Sequence, residues 1–130
     1  MADVTLDADV VIAFLDPADE QHARAVEALR PHLAAGRQLV LGAGAYAEVL
    51  VRPLQRGSDA TVDEFIDAIG AEVVAVDRDI ARRAAELRAR HRSLRLPDAF
   101  SLATALAATA ELLTLDHRLH RIAVREGSGA

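Results

Sequence analysis

Short runs of β-branched and aliphatic residues alternate along this chain with longer segments of helical periodicity, and that alternation restricts the fold more than any other feature. The runs are Val4 to Leu6, Gln38 to Leu41, Glu72 to Val76 and Glu111 to Leu115, with Arg121 to Arg125 as a possible edge strand. Helices are expected from Val10 to Leu15, Glu20 to Ala35, Ala45 to Leu54, Thr61 to Ile69, Arg78 to Arg92 and Leu96 to about Thr109. Asp116 to Leu119 reads as one helical turn. Pro31 should kink or divide the second helix, Gly36 and Gly70 are stop signals, and Pro53 with Gly57 closes the third. Strands separated by helices predict a central, mainly parallel sheet of four to five strands covered on both faces, a three-layer α/β/α sandwich. Residues 1–130 read as a single domain, with a polar, mobile tail from Glu126 onward.

A chain of 130 residues that is 52% apolar can bury one continuous core. Only 3% of it is aromatic, so no platform for stacking bases is available, and any nucleic-acid contact rests on phosphates and shape. The formal charge of -5 argues against bulk attraction to RNA or DNA. All fifteen basic residues are Arg, which removes every mechanism that needs a lysine. The absence of Cys excludes disulfides, thiolate metal sites and thiol nucleophiles. The start of the chain lacks the pattern of a signal peptide. The longest apolar stretches contain Glu48 and Glu111 and fall short of the roughly 20 residues a spanning helix needs. A soluble, cytoplasmic protein is the expectation.

Asp7, Glu48, Asp98 and Asp116 each sit at or just after an apolar stretch. If those stretches are parallel strands and the helices that follow them, the carboxylates gather at one edge of the sheet. Grouped carboxylates do not all stay ionised without a cation, so a divalent metal site is the first hypothesis. Each Asp has a simpler reading as a helix cap, Asp7 or Asp9 for the first helix, Asp98 after Pro97, and Asp116 for the turn that follows it. Glu48 is harder to explain that way, because Ala45, Tyr46, Ala47, Val49, Leu50 and Val51 surround it; its alternative is an i,i+4 pair with Arg52. Mg²⁺ or Mn²⁺ held by such carboxylates suits phosphodiester hydrolysis by a metal-activated water.

The segments Leu6-Asp7-Ala8-Asp9-Val10-Val11-Ile12-Ala13-Phe14-Leu15, Ala47-Glu48-Val49-Leu50, Leu96-Pro97-Asp98-Ala99-Phe100-Ser101-Leu102-Ala103-Thr104-Ala105 and Leu113-Thr114-Leu115-Asp116, taken in order, resemble the PIN-domain ribonucleases, specifically the VapC toxins of toxin-antitoxin pairs. The resemblance runs from about Asp3 to Val124 and implies a PIN-like sandwich. It also implies a Mg²⁺-dependent endoribonuclease whose acidic quartet is Asp7, Glu48, Asp98 and Asp116, with Asp7 and Asp98 as the direct ligands. Thr114 would orient a water or Asp116, and Asp9 stands where relatives commonly carry Ser or Asn. A VapB-type antitoxin that blocks the groove, an RNA substrate, and a homodimer or larger assembly with antitoxin are likewise implied by the resemblance.

Arg88, Arg90, Arg92 and Arg95 crowd the approach to Asp98 and are candidates for RNA phosphates, against a plain reading as solvated cations near a helix C-terminus. His117 and His120 have the spacing of a metal pair, but with no other His nearby in sequence a surface position is expected. A phosphatase of the haloacid-dehalogenase type, with Asp7 as nucleophile, normally needs a lysine that this chain lacks. The remaining alternative is a PIN-fold binding module without turnover.

Overall fold

A computed structural model describes residues 3–128. Its strands are β1 (Val4–Leu6), β2 (Leu39–Gly42), β3 (Glu72–Val74) and β4 (Glu111–Leu113). They form one sheet in the order β3-β2-β1-β4, and every pairing is parallel, with Leu6 set between Leu41 and Leu113. The helices are α1 (Ala8–Leu15), α2 (His22–Ala34), α3 (Ala43–Arg56), α4 (Asp59–Ala68), α5 (Arg78–Arg90), α6 (Leu96–Ala107) and α7 (His117–Arg125).

Successive strand residues point to opposite faces of the sheet, so a doubly covered sheet needs apolar partners above and below. Val4, Leu6, Leu39 and Leu41 pack with Val10 and Val11 of α1, Leu29 of α2, Val49 of α3 and Val62 and Ile66 of α4. Leu112 belongs to a second cluster with Ile80, Ala84 and Leu87 of α5, Leu102 of α6, and Leu119 and Ile122 of α7. The expected three-layer sandwich is therefore present. Thr5, between Val4 and Leu6, is fully buried, and its hydroxyl has no hydrogen-bond partner.

The small residues of α6 set how closely that helix approaches the sheet. Ala99, Ala103 and Ala105 are fully buried, and a Cβ added to Gly42, at the end of β2, would come within 3.2 Å of Thr104 Oγ1. Chain order completes the positioning. The chain steps outward from β1 to β2 to β3, then returns across the sheet to lay β4 on the other side of β1. The strand order thus reverses beside β1, and the carboxyl ends of β1 and β4 open onto that reversal, where α/β sheets place their ligands.

Three expectations are corrected. Arg121 to Arg125 is not an edge strand but the second half of α7, because Leu119, Ile122 and Ala123 fall on one helical face and are buried there. Pro31 does not divide α2: it lies in the last turn, where losing one amide bond costs little continuity. The chain does not leave the fold at Glu126 either. Glu126 accepts hydrogen bonds from Arg90 Nη2 at 2.7 Å and pairs with His91 Nε2 at 2.7 Å, and the buried Ser128 donates its hydroxyl to the Ala110 carbonyl at 2.8 Å. The last two residues of the expected tail lie outside the described residues.

Candidate active site

Asp7 follows β1 directly and caps α1, its Oδ1 accepting the Ala8 amide at 3.0 Å. Capping uses only part of its capacity. The same Oδ1 accepts from Ser101 Oγ of α6 at 3.0 Å, and Oδ2 accepts from Thr114 Oγ1, just past β4, at 2.8 Å. Three segments distant in sequence are thereby tied to one carboxylate that is only 8% exposed. Burial raises its pKa above the ordinary carboxylate value, the nearby Asp98 charge adds to the rise, and the bonds from Thr114, Ser101 and Ala8 oppose it.

Asp9, in the first turn of α1 and half-buried, accepts the Leu115 amide at 3.1 Å and a longer bond from Thr114 Oγ1 at 3.3 Å. Burial and the Asp7 charge raise its pKa to about 7. Thr114 is thus the hub between Asp7 and Asp9, and its Oγ1 also accepts the Asp116 amide at 3.1 Å.

Asp98, in the first turn of α6, is 8% exposed, and its Oδ2 is buried with no hydrogen-bond partner. Arg95 Nε lies 3.5 Å from that oxygen, an ion-pair contact lacking hydrogen-bond geometry. Glu48 projects from α3 as an exposed residue and makes no pair with Arg52 among the described residues. Its pKa is raised by partial burial and by the charges of Asp7 and Asp98, and lowered by Arg95. Asp7, Glu48 and Asp98 therefore share one electrostatic neighbourhood.

Asp116 is differently placed. Its Oδ1 accepts the amides of Arg118 and Leu119 and caps α7, so its tie to the other acids runs through its backbone and Thr114. Of the arginines near Asp98 in sequence, Arg90 is held by Glu126, while Arg88, Arg92 and Arg95 are exposed. His117 and His120 are exposed, and His117 Nε2 lies 3.4 Å from Arg24 Nη2. Ser101 was not among the expected site residues, although its i,i+3 spacing from Asp98 puts both on one face of α6.

Among the described residues no group of three carboxylates or imidazoles has the separations of a formed cation cage. The donor chemistry nevertheless fits a hard divalent ion. Mg²⁺ commonly takes only one or two carboxylates and keeps its waters, and here two buried carboxylates, one with an orphaned oxygen, meet that requirement. Asp7 and Asp98 are the residues that could hold it.

The raised pKa values predict a pH effect without added cation. A carboxyl whose folded pKa lies above its unfolded value leaves the native state holding more protons between the two values, so stability falls as pH rises through that window. For Asp9 the window runs from 3.8 to about 7. Asp9→Asn should accordingly be more stable than the parent near pH 8 and close to it below about pH 4, in urea denaturation with chelator present. An equal gain at both ends would contradict the cause assigned to the shift.

The comparisons with known proteins agree with this architecture. The PIN domain family matches residues 4–125. A toxin-antitoxin complex from Klebsiella pneumoniae superimposes with a TM-score of 0.69 at 25% identity, over 87% of this chain and 86% of that one. VapC20 of Mycobacterium tuberculosis, a toxin that cleaves the sarcin-ricin loop, gives 0.69 at 16% identity, over 97% and 96%. VapBC2 of Rickettsia felis, bound to a DNA fragment from its promoter, gives 0.70 at 16% identity, over 92% of each chain. No curated protein matches significantly. With the family match spanning nearly the whole described fold, the chain belongs to the PIN-domain family.

Proposed function

We propose that this chain is a Mg²⁺-dependent endoribonuclease, the toxin of a type II toxin-antitoxin pair, active also with Mn²⁺. The observation that carries the reading is the pair of buried carboxylates, Asp7 and Asp98, at the reversal of the strand order, with an unbonded oxygen on Asp98. Membership of the PIN family and likeness to toxin-antitoxin structures support the same reading. Asp7 and Asp98 would hold a divalent ion that, when bound, would lower the pKa of a water and offset the charge of the scissile phosphate.

The chain's own residues supply the rest. Thr114 and Ser101 hold the Asp7 carboxylate in one orientation. Glu48, with its raised pKa, faces the same space and is suited to accept a proton from an attacking water. Asp9 supports Thr114, and Asp116 completes the quartet from its capping position. Arg88, Arg92 and Arg95 are exposed and are the proposed contacts for RNA phosphates, whereas Arg90 would first have to leave Glu126. A VapB-type antitoxin is the proposed partner, in an assembly built on a toxin homodimer, and the cytoplasm is the proposed location. No helix among the described residues is long and apolar enough to cross a membrane.

Purified protein should cut single-stranded or looped RNA in Mg²⁺ or Mn²⁺, stop when chelator is added, and resume when the ion is restored. Its thermal midpoint should also rise in millimolar Mn²⁺ as binding to the native state draws the equilibrium over. A fold kept only for binding would show neither effect.

A further inference from the structure

Among the described residues, the orphaned oxygen of Asp98 has one cation within ion-pair distance, and that cation belongs to the chain. Arg95 is the residue before α6, and its Nε stands 3.5 Å from Asp98 Oδ2. The two side chains are unequally exposed, Arg95 at 75% and Asp98 at 11%. A nearly free guanidinium therefore rests on a nearly buried carboxylate.

The looseness of the contact is informative when set beside the other Arg-carboxylate pair of this region. Arg90 grips Glu126 with two bonds, Nη2 to Oε1 at 2.7 Å and Nε to Oε2 at 3.3 Å, the two-point geometry of a fixed structural pair. Arg95 makes no hydrogen bond to Asp98, so it offers charge without committing donors. Its influence also reaches beyond Asp98. Among the groups acting on Glu48, Asp7 and Asp98 raise the pKa and Arg95 alone lowers it. Arg95 is thus the cation common to Glu48 and Asp98.

On the reading of Asp7 and Asp98 as the cation-holding pair, we propose that Arg95 is the built-in counter-ion of the acid site, a positioning residue that a divalent cation displaces from Asp98 and that then turns to an RNA phosphate. Two cations do not share one carboxylate oxygen without repulsion, and a divalent ion interacts more strongly with it than a solvated guanidinium. The exposed Arg side chain loses little by leaving, because exposed ion pairs contribute little stability. Tethered at the start of α6, it stays beside the site and keeps its bidentate donors free for phosphate.

The test measures Mn²⁺ binding by calorimetry on the full chain without RNA. Arg95→Gln should bind Mn²⁺ about threefold to tenfold more tightly than the parent, while its KM for RNA rises. The gain should vanish when Asp98→Asn is the background, since the coupling runs through that carboxylate. A fall in KM, or Mn²⁺ affinity equal to or weaker than the parent's, overturns the proposal. If Arg95→Gln gains affinity equally in the Asp98→Asn background, the displacement from Asp98 is also wrong. Failure of the parent to bind Mn²⁺ at all overturns the underlying metal-site reading instead, which separates the two failures. A merely structural Arg95 would lower the cation-free thermal midpoint without tightening Mn²⁺ binding.

Discussion

Asp98→Asn is expected to lower RNA cleavage at least about a hundredfold while leaving the cation-free protein as stable as the parent or more so, since residues merely supporting a metal ligand already cost about 10- to 100-fold. The two halves of this expectation have one cause. Asp98 is 8% exposed, its Oδ2 has no hydrogen-bond partner, and its nearest cation is a mostly exposed Arg95, so the folded chain gains little from its charge. The same charge raises the pKa values of Asp7 and Glu48. A buried carboxylate oxygen left without a partner, beside two acids whose pKa values its charge raises, is best explained by work it does for a ligand, and neutralising it should trade activity for stability. Cleavage assays with Mn²⁺ and thermal melts with chelator measure the two halves. Parent-level cleavage would remove Asp98 from the site, and a large fall in the cation-free midpoint would make it a structural residue.

The largest stability effect is expected at Leu102. It is fully buried in α6, in the cluster that joins α5, α6 and α7 to β4. Its helix neighbours Ala99, Ala103 and Ala105 are already small and fully buried, so they have no side chain to swing into a vacated space. Leu102→Ala should therefore cost about 3–5 kcal/mol, in the upper part of the range for such truncations. That is a large share of the roughly 5–15 kcal/mol that holds a domain folded. Urea denaturation should show an earlier midpoint with an unchanged slope. A loss below about 1 kcal/mol would mean that the surrounding helices collapse onto the gap.

Much of the fold was legible because its strands are short apolar runs and its helices carry clear stops. β1 falls where expected, and β2, β3 and β4 differ from the expected runs only at their ends. α7 was less legible for a physical reason: Arg-Ile-Ala-Val-Arg suits a short strand or a helix, and the outcome is set by the Asp116 cap and by tertiary packing of Leu119, Ile122 and Ala123. Strand order was also beyond local pattern, since β4 reaches β1 only by crossing the whole sheet.

At the site, pattern singled out Asp7, Glu48 and Asp98, which share one electrostatic neighbourhood, while the resemblance pointed to Thr114 beside Asp116, and its bonds to Asp7 and Asp9 emerged only from the fold. It could not separate a cap from a site acid at Asp116, because both roles place Asp at the same junction. Nor could it foresee that Arg90 is held by Glu126, a contact made across the fold. Ser101 was within reach, being on the Asp98 face of α6, but a serine among alanines carries no signal until the Asp7 carboxylate is seen beside it.

On the proposed reading, Asp7 and Asp98 together hold a divalent cation. A crystal grown or soaked with Mn²⁺ and measured for anomalous scattering tests it directly. A single strong peak is expected, bonded to a carboxylate oxygen of Asp7 and to Oδ2 of Asp98, with Arg95 withdrawn from that oxygen. A site that stays empty at saturating Mn²⁺, or a peak held by other residues, would contradict it.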